Sequence, residues 1–73
     1  MKNIRKNMRK ISVIIAGRHQ TSICLEDEFY DELKKIAAHE KKSINELVTE
    51  IDATRDNNNL SSAIRVFILK KLL

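Results

Sequence analysis

The chain has 73 residues and a mass of 8.5 kDa, which suits one small domain, since autonomous domains shorter than about 50 residues are uncommon. It is 42% hydrophobic, with no Trp, no Pro, one Gly and one Cys; the lone Cys24 excludes an internal disulfide, and Cys24, His19 and His39 form no set with zinc-ligand spacing. The net charge of +4 hides a split, because Lys2, Arg5, Lys6, Arg9, Lys10 and Arg18 give residues 1–25 a charge of +6 with no acid, whereas eight basic and ten acidic side chains leave residues 26–73 at −2.

Residues 1–11 read as a flexible basic arm. Lys2, Arg5, Lys6, Arg9 and Lys10 fall at helical spacing, with Ile4, Met8 and Ile11 on another face. So short a helix is marginal in isolation, and the narrow apolar face without aromatics favours an arm that tracks phosphates over a helix lying on a membrane. The apolar run Val13 to Ala16 falls short of the roughly 7 to 15 residues of a signal segment and the roughly 20 of a spanning helix. With no disulfide framework either, a soluble cytoplasmic protein is expected, with no membrane partner. A basic block on a nearly balanced body is the footprint of a protein that meets a polyanion, although basic termini are also common solvated tails.

The domain proper is expected over residues 12–73. Gln20 to Leu25 alternate, with Thr21, Ile23 and Leu25 on one face and Gln20, Ser22 and Cys24 on the other, the period of a β-strand. Gly17 lets the chain turn between this strand and a second candidate, Ser12 to Ala16. From Glu26 the period becomes helical: Phe29, Leu33, Ile36 and Ala37 share a face, with acids early and lysines late in accord with the helix dipole. Ser43-Ile44-Asn45-Glu46 is a Ser-x-x-Glu capping box opening a second helix with Ile44, Leu47, Val48 and Ile51 as its apolar stripe. Arg55 to Asn59 interrupt the pattern with turn-prone asparagines. A third helix starts near Leu60 or Ser61 and is apolar around more than half its circumference, which implies burial against its own chain and near a partner.

A strand needs a hydrogen-bonding mate. Either residues 12–25 close a local hairpin, or residues 20–25 pair with a second copy about a two-fold axis. The second arrangement is preferred here, because a core of this size rarely supplies more than about 3 to 5 kcal/mol and oligomerisation is the remaining way to complete it. The ribbon so formed would present Gln20, Ser22 and Cys24 outward to the edges of bases in a DNA major groove about 12 Å wide. The start of the second helix, with its unpaired amides and preceded by Lys41 and Lys42, would hold a phosphate.

Three ordered blocks carry a resemblance: Thr21 to Glu26, Glu46 to Asp52 and Asn59 to Phe67. Together with the acidic start Glu26 to Phe29 and the Ser43 to Leu47 segment, they resemble the ribbon-helix-helix DNA-binding proteins, and more narrowly a short bacterial subgroup with a third helix, over about residues 12–70. The resemblance implies a mainly α homodimer whose paired strands form an intermolecular two-stranded antiparallel ribbon. It also implies that Ser43, Ile44 and Asn45 offer backbone amides to DNA beside Lys42, and that Thr21, Ile23, Leu25, Phe29, Leu47 and Ile51 form the dimer core. Where the family often carries Arg or Lys at the base-reading positions this chain has Gln20, Ser22 and Cys24, which shifts weight to Arg18 and His19. Where the family often has Gly between the helices this chain has His39 to Lys42, so a left-handed residue there would be strained.

Cys24 reads as a small neutral spacer, His39 as a helix-end residue, and nothing resembles a catalytic set, so neither an enzyme nor a cofactor is expected. The preferred function is a dimeric, sequence-specific repressor or autoregulator of transcription acting on double-stranded DNA, with higher oligomers allowed. The alternative is an antitoxin-like or adaptor dimer that binds a partner protein through the third helix.

Overall fold

The computed structural model describes residues 8–55 and 59–73. An antiparallel hairpin of β1 (Met8–Ile15) and β2 (His19–Glu26) leads into three helices, α1 (Asp27–His39), α2 (Ile44–Thr54) and α3 (Leu60–Leu72). The expected strand is present and one residue longer at each end. The helix order is as expected, with α3 beginning at Leu60.

The mate of β2 lies in the same chain. Ile11 stands opposite Ile23, Ser12 opposite Ser22 and Val13 opposite Thr21, so the local hairpin replaces the expected pairing with a second copy. The physical reason lies in β1: Ile11, Val13 and Ile15 supply an inward apolar row matching Thr21, Ile23 and Leu25, and a loop of Ala16, Gly17 and Arg18 brings the strands together with little loss of chain entropy. Ala16 (φ 54°) and Gly17 (φ 77°) both take left-handed backbone, and the Arg18 N–H donates to the Ile15 carbonyl at 3.2 Å. Met8 to Ile11, expected as the end of the flexible arm, are therefore strand. The rest of the arm, residues 1–7, and Asp56, Asn57 and Asn58 of the asparagine turn lie outside the described residues.

Each helix is punctuated by its sequence. α1 carries Asp27 and Glu28 in its first turn, and its C-terminus closes through Lys42 N–H to Ala37 O (2.9 Å) and Lys41 N–H to Ala38 O (3.1 Å), a Schellman motif with Lys41 at φ 58°. The left-handed residue between the helices thus exists, and a lysine fills it. At α2 the capping box is complete: Ser43 Oγ accepts from Glu46 N–H at 3.0 Å, and Glu46 Oε1 accepts from Ser43 N–H at 2.7 Å. Asn59 caps α3 by accepting from Ser62 N–H.

The core lies between the ribbon and the helices: Val13, Ile23 and Leu25 meet Leu33 of α1, Leu47 and Val48 of α2 and Ile64 and Ile68 of α3, all at most 1% exposed. Of the residues expected at a dimer core, Ile23, Leu25, Leu47 and Ile51 are buried inside one chain and Thr21 and Phe29 are half-buried. β1 and α3 provide the cover that a second copy was expected to provide.

Candidate nucleic-acid interface

The ribbon has one apolar and one wet face. Gln20, Ser22 and Cys24 project from the wet face and are all exposed, as the alternation predicts. Their neighbours across the ladder are Ile14, Ser12 and Lys10 of β1, also exposed. The outward surface therefore combines two different strands, and Lys10 and Ser12 join the candidate base-facing set that sequence reasoning drew from β2 alone. The signal was available, because Lys10, Ser12 and Ile14 share a parity. It is hidden when residues 1–11 are read as arm and β2 is paired with a second copy instead of with Ser12 to Ala16.

Both edges of the ribbon are bordered by helix side chains. Along β1, Asn45 Oδ1 accepts from Ile14 N–H at 3.1 Å and Thr49 Oγ1 from Ala16 N–H at 3.0 Å, which fixes the first two turns of α2 beside the strand. Along β2, Ser61 Oγ accepts from Cys24 N–H at 3.1 Å, and the Arg65 guanidinium donates to the Cys24 carbonyl at 3.1 Å and to Glu26 Oε1 at 2.9 Å. In an antiparallel ladder alternate residues turn both backbone groups to the same side, so Gln20 and Ser22 also direct their N–H and C=O groups to this outer edge. No protein group meets them there among the described residues.

At the start of α2 the capping box occupies the N–H groups of Ser43 and Glu46. The N–H groups of Ile44 and Asn45 have no protein acceptor among the described residues, as expected of the first turn of a helix. The cations beside them are not equivalent. Lys42 bonds Glu50 at 2.6 Å and Glu40 at 3.1 Å, and these two carboxylates, Glu50 foremost, hold its ammonium above the ordinary lysine range. Glu40 in turn is held below the ordinary carboxylate range by Lys71 first and then Lys42. Lys42, expected at the phosphate, is thus tied into a four-residue ion network, and Lys41, exposed on the left-handed turn, is the cation that faces solvent.

Arg18 and His19 sit at the hairpin tip, both exposed. His19 has the parity of Thr21 and Ile23, so it lies on the helix side of the ribbon and lines a groove with Gln20, Asp52, Arg55 and Ser61. It does not share the wet face with Gln20, Ser22 and Cys24. Cys24 itself is an exposed free thiol.

The hairpin is followed by two helices joined through a tight turn and by a third helix, and a family model described as "Ribbon-helix-helix domain" matches residues 8–72. The chain belongs to the ribbon-helix-helix family. The match runs from the first residue of β1 to the last of α3 and so covers the hairpin and the third helix as well as the central elements. No curated protein and no solved structure matches the chain. Ribbon-helix-helix domains bind DNA and form dimers, and a DNA-binding regulator is the kind of function the family gives this chain. Among the described residues no helix is long and apolar enough to cross a membrane.

Proposed function

We propose that this ribbon-helix-helix protein is a sequence-specific transcriptional repressor or autoregulator that acts as a homodimer and inserts the wet face of its ribbon into the DNA major groove. The observation that carries the reading is that face: exposed Gln20, Ser22 and Cys24 stand beside exposed Lys10 and Ser12, and the acid of the same parity on β2, Glu26, is paired with Arg65. A two-stranded ribbon fits the major groove, where Gln can pair with adenine N6 and N7, Lys can donate to guanine and Ser can donate or accept. The amides of Ile44 and Asn45, with Lys41 in front of them, would receive a backbone phosphate, and Arg18 at the tip would add another. The open Gln20 and Ser22 edge of β2 offers a second copy a place to continue the ladder, which is how a dimer would retain a ribbon at its centre.

Selection from random duplexes followed by mobility shift tests this. The selected duplex should bind with an affinity that falls steeply with salt, since each neutralised phosphate releases counterions. Gln20→Ala should relax preference at one base position by about 1 to 3 kcal/mol, while Lys41→Ala should weaken all duplexes alike. Absence of binding at low salt, or a Gln20→Ala protein with unchanged preference, would remove the reading.

A further inference from the structure

We propose that Tyr30 of α1 is a positioning residue for DNA recognition, a role that rests on the DNA reading above. Through Arg9 it holds the start of β1, and so keeps Lys10 on the wet face as a base contact. Arg9 and Lys10 look alike in the sequence, yet strand alternation sends them to opposite faces. Arg9 turns to the helix side, where its guanidinium carbon lies 5.0 Å from the centroid of the half-buried Tyr30 ring and its Nε donates to Asp27 Oδ1 at 3.4 Å. Lys10 stands opposite Cys24 on the wet face, exposed and with no acidic partner among the described residues.

The ladder shows why the start of β1 needs an anchor. Ile14 and Cys24 send their N–H groups outward, to Asn45 and Ser61, so odd-numbered residues of the two strands bond one another across the ladder. Arg9 and Leu25 therefore make the last bonded rung, and Met8 and Glu26 beyond it form a wide pair. Terminal rungs open most readily. When this one opens, Lys10 is held from one side only, by the rung of Ile11 and Ile23. Leu25 is 0% exposed and fixed in the core, so the rung depends on what anchors Arg9. An ion pair at 3.4 Å between half-exposed groups is weak, which leaves the Tyr30 ring face as the main anchor. The same ring draws Lys34, whose Nζ lies 4.9 Å from its centroid.

The test compares Tyr30→Leu, Tyr30→Phe and Lys10→Ala with the parent, all as full chains. In the free protein, amide hydrogen exchange at Leu25 should be about two- to fivefold faster in Tyr30→Leu, the opening expected when an exposed cation–π contact is lost, with Ile23 unchanged. Tyr30→Phe keeps the ring and should exchange as the parent does. On the selected duplex Lys10→Ala should cost about fivefold or more in affinity and relax preference at one guanine. Tyr30→Leu should lose about two- to fivefold of that same preference, and nothing further once Lys10→Ala is present. Tyr30→Phe should keep it all. A merely structural role would quicken exchange at Leu25 and Ile23 together and leave base preference alone, so either result overturns the proposal. Unchanged exchange at Leu25, or an equal loss of affinity with and without Lys10→Ala, also overturns it. If the parent binds no duplex, the DNA reading falls and this role with it; if the parent binds and Lys10→Ala alters no preference, this role alone falls.

Discussion

The two faces of the ribbon are one residue apart in sequence and opposite in consequence. Val13, Ile23 and Leu25 are at most 1% exposed against the helices, while Ser12, Ser22 and Cys24 beside them stand in solvent. Because strand side chains alternate, a register slip of one residue would exchange the two sets entirely. With the wet face as the proposed DNA-reading surface, stability and recognition would share a backbone but not a side chain, and substitution should separate them. Leu25→Ala should remove about 2 to 5 kcal/mol, the usual result of truncating a fully buried leucine, read as the urea or thermal midpoint. Ser22→Ala should leave stability within about 0.5 kcal/mol, as surface changes do, and alter only DNA preference. Comparable destabilisation by both would mean that the wet face is covered.

The edges sharpen the comparison, because helix side chains do there what a further strand would do. Ser61→Ala removes the acceptor of Cys24 N–H and should lower stability by about 0.5 to 1.5 kcal/mol, the net worth of an ordinary hydrogen bond. Arg65→Ala removes the carbonyl contact as well as the ion pair to Glu26. If instead β2 recruits a second strand at this edge, Ser61→Ala would strengthen self-association, which sedimentation equilibrium would detect.

The same arginine predicts a pH response. Its hydrogen bond holds the Glu26 carboxyl below the ordinary value of 4.5, and Lys71 and Lys42 do likewise for Glu40. A carboxylate depressed in the folded state contributes stability that is present above its unfolded value and lost as pH falls through its folded one. Melting temperature should thus hold near neutral pH and decline below about 4.5, with a shallower decline in Arg65→Ala. The raised Lys42 acts at the other end: its contribution is present below the ordinary 10.5 and fades only as pH rises beyond it. An equal acid decline in parent and variant would assign the effect to other carboxylates.

Much of this architecture was written in local pattern. The period-two run at Gln20 to Leu25, the stripe from Phe29 to Ala37 and the Ser43 and Glu46 box each depend on neighbours within a few residues, and each is found where the pattern puts it. The mate of β2 was harder to read. Ile14 and Ile15 interrupt the alternation of β1, and the cations Arg9 and Lys10 made its first half look like solvated arm, whereas Arg9 lies 5.0 Å over the Tyr30 ring and 3.4 Å from Asp27. Those partners are about twenty residues away and leave no mark on the local sequence. Lys42 shows the same limit: its position before a helix suggested a phosphate contact, but Glu40 and Glu50 were placed on it by the fold.

Small stabilising effects are expected in the two left-handed turns, where Ala16 and Lys41 separate stability from DNA binding. Ala16 and Lys41 both have positive φ without being glycine, a conformation that costs a side-chain-bearing residue about 1 to 2 kcal/mol, of which glycine's greater unfolded-state freedom cancels about half. Ala16→Gly and Lys41→Gly should each raise stability by roughly 0.5 to 1 kcal/mol, a few degrees in melting temperature for a domain of this size. On DNA they should part. Ala16→Gly removes no charge and should leave affinity alone, whereas Lys41→Gly removes the solvent-facing cation before the Ile44 and Asn45 amides and should weaken every duplex while reducing the salt slope by about 1. A Lys41→Gly protein that is more stable and binds DNA with an unchanged salt slope would move the phosphate contact away from the start of α2.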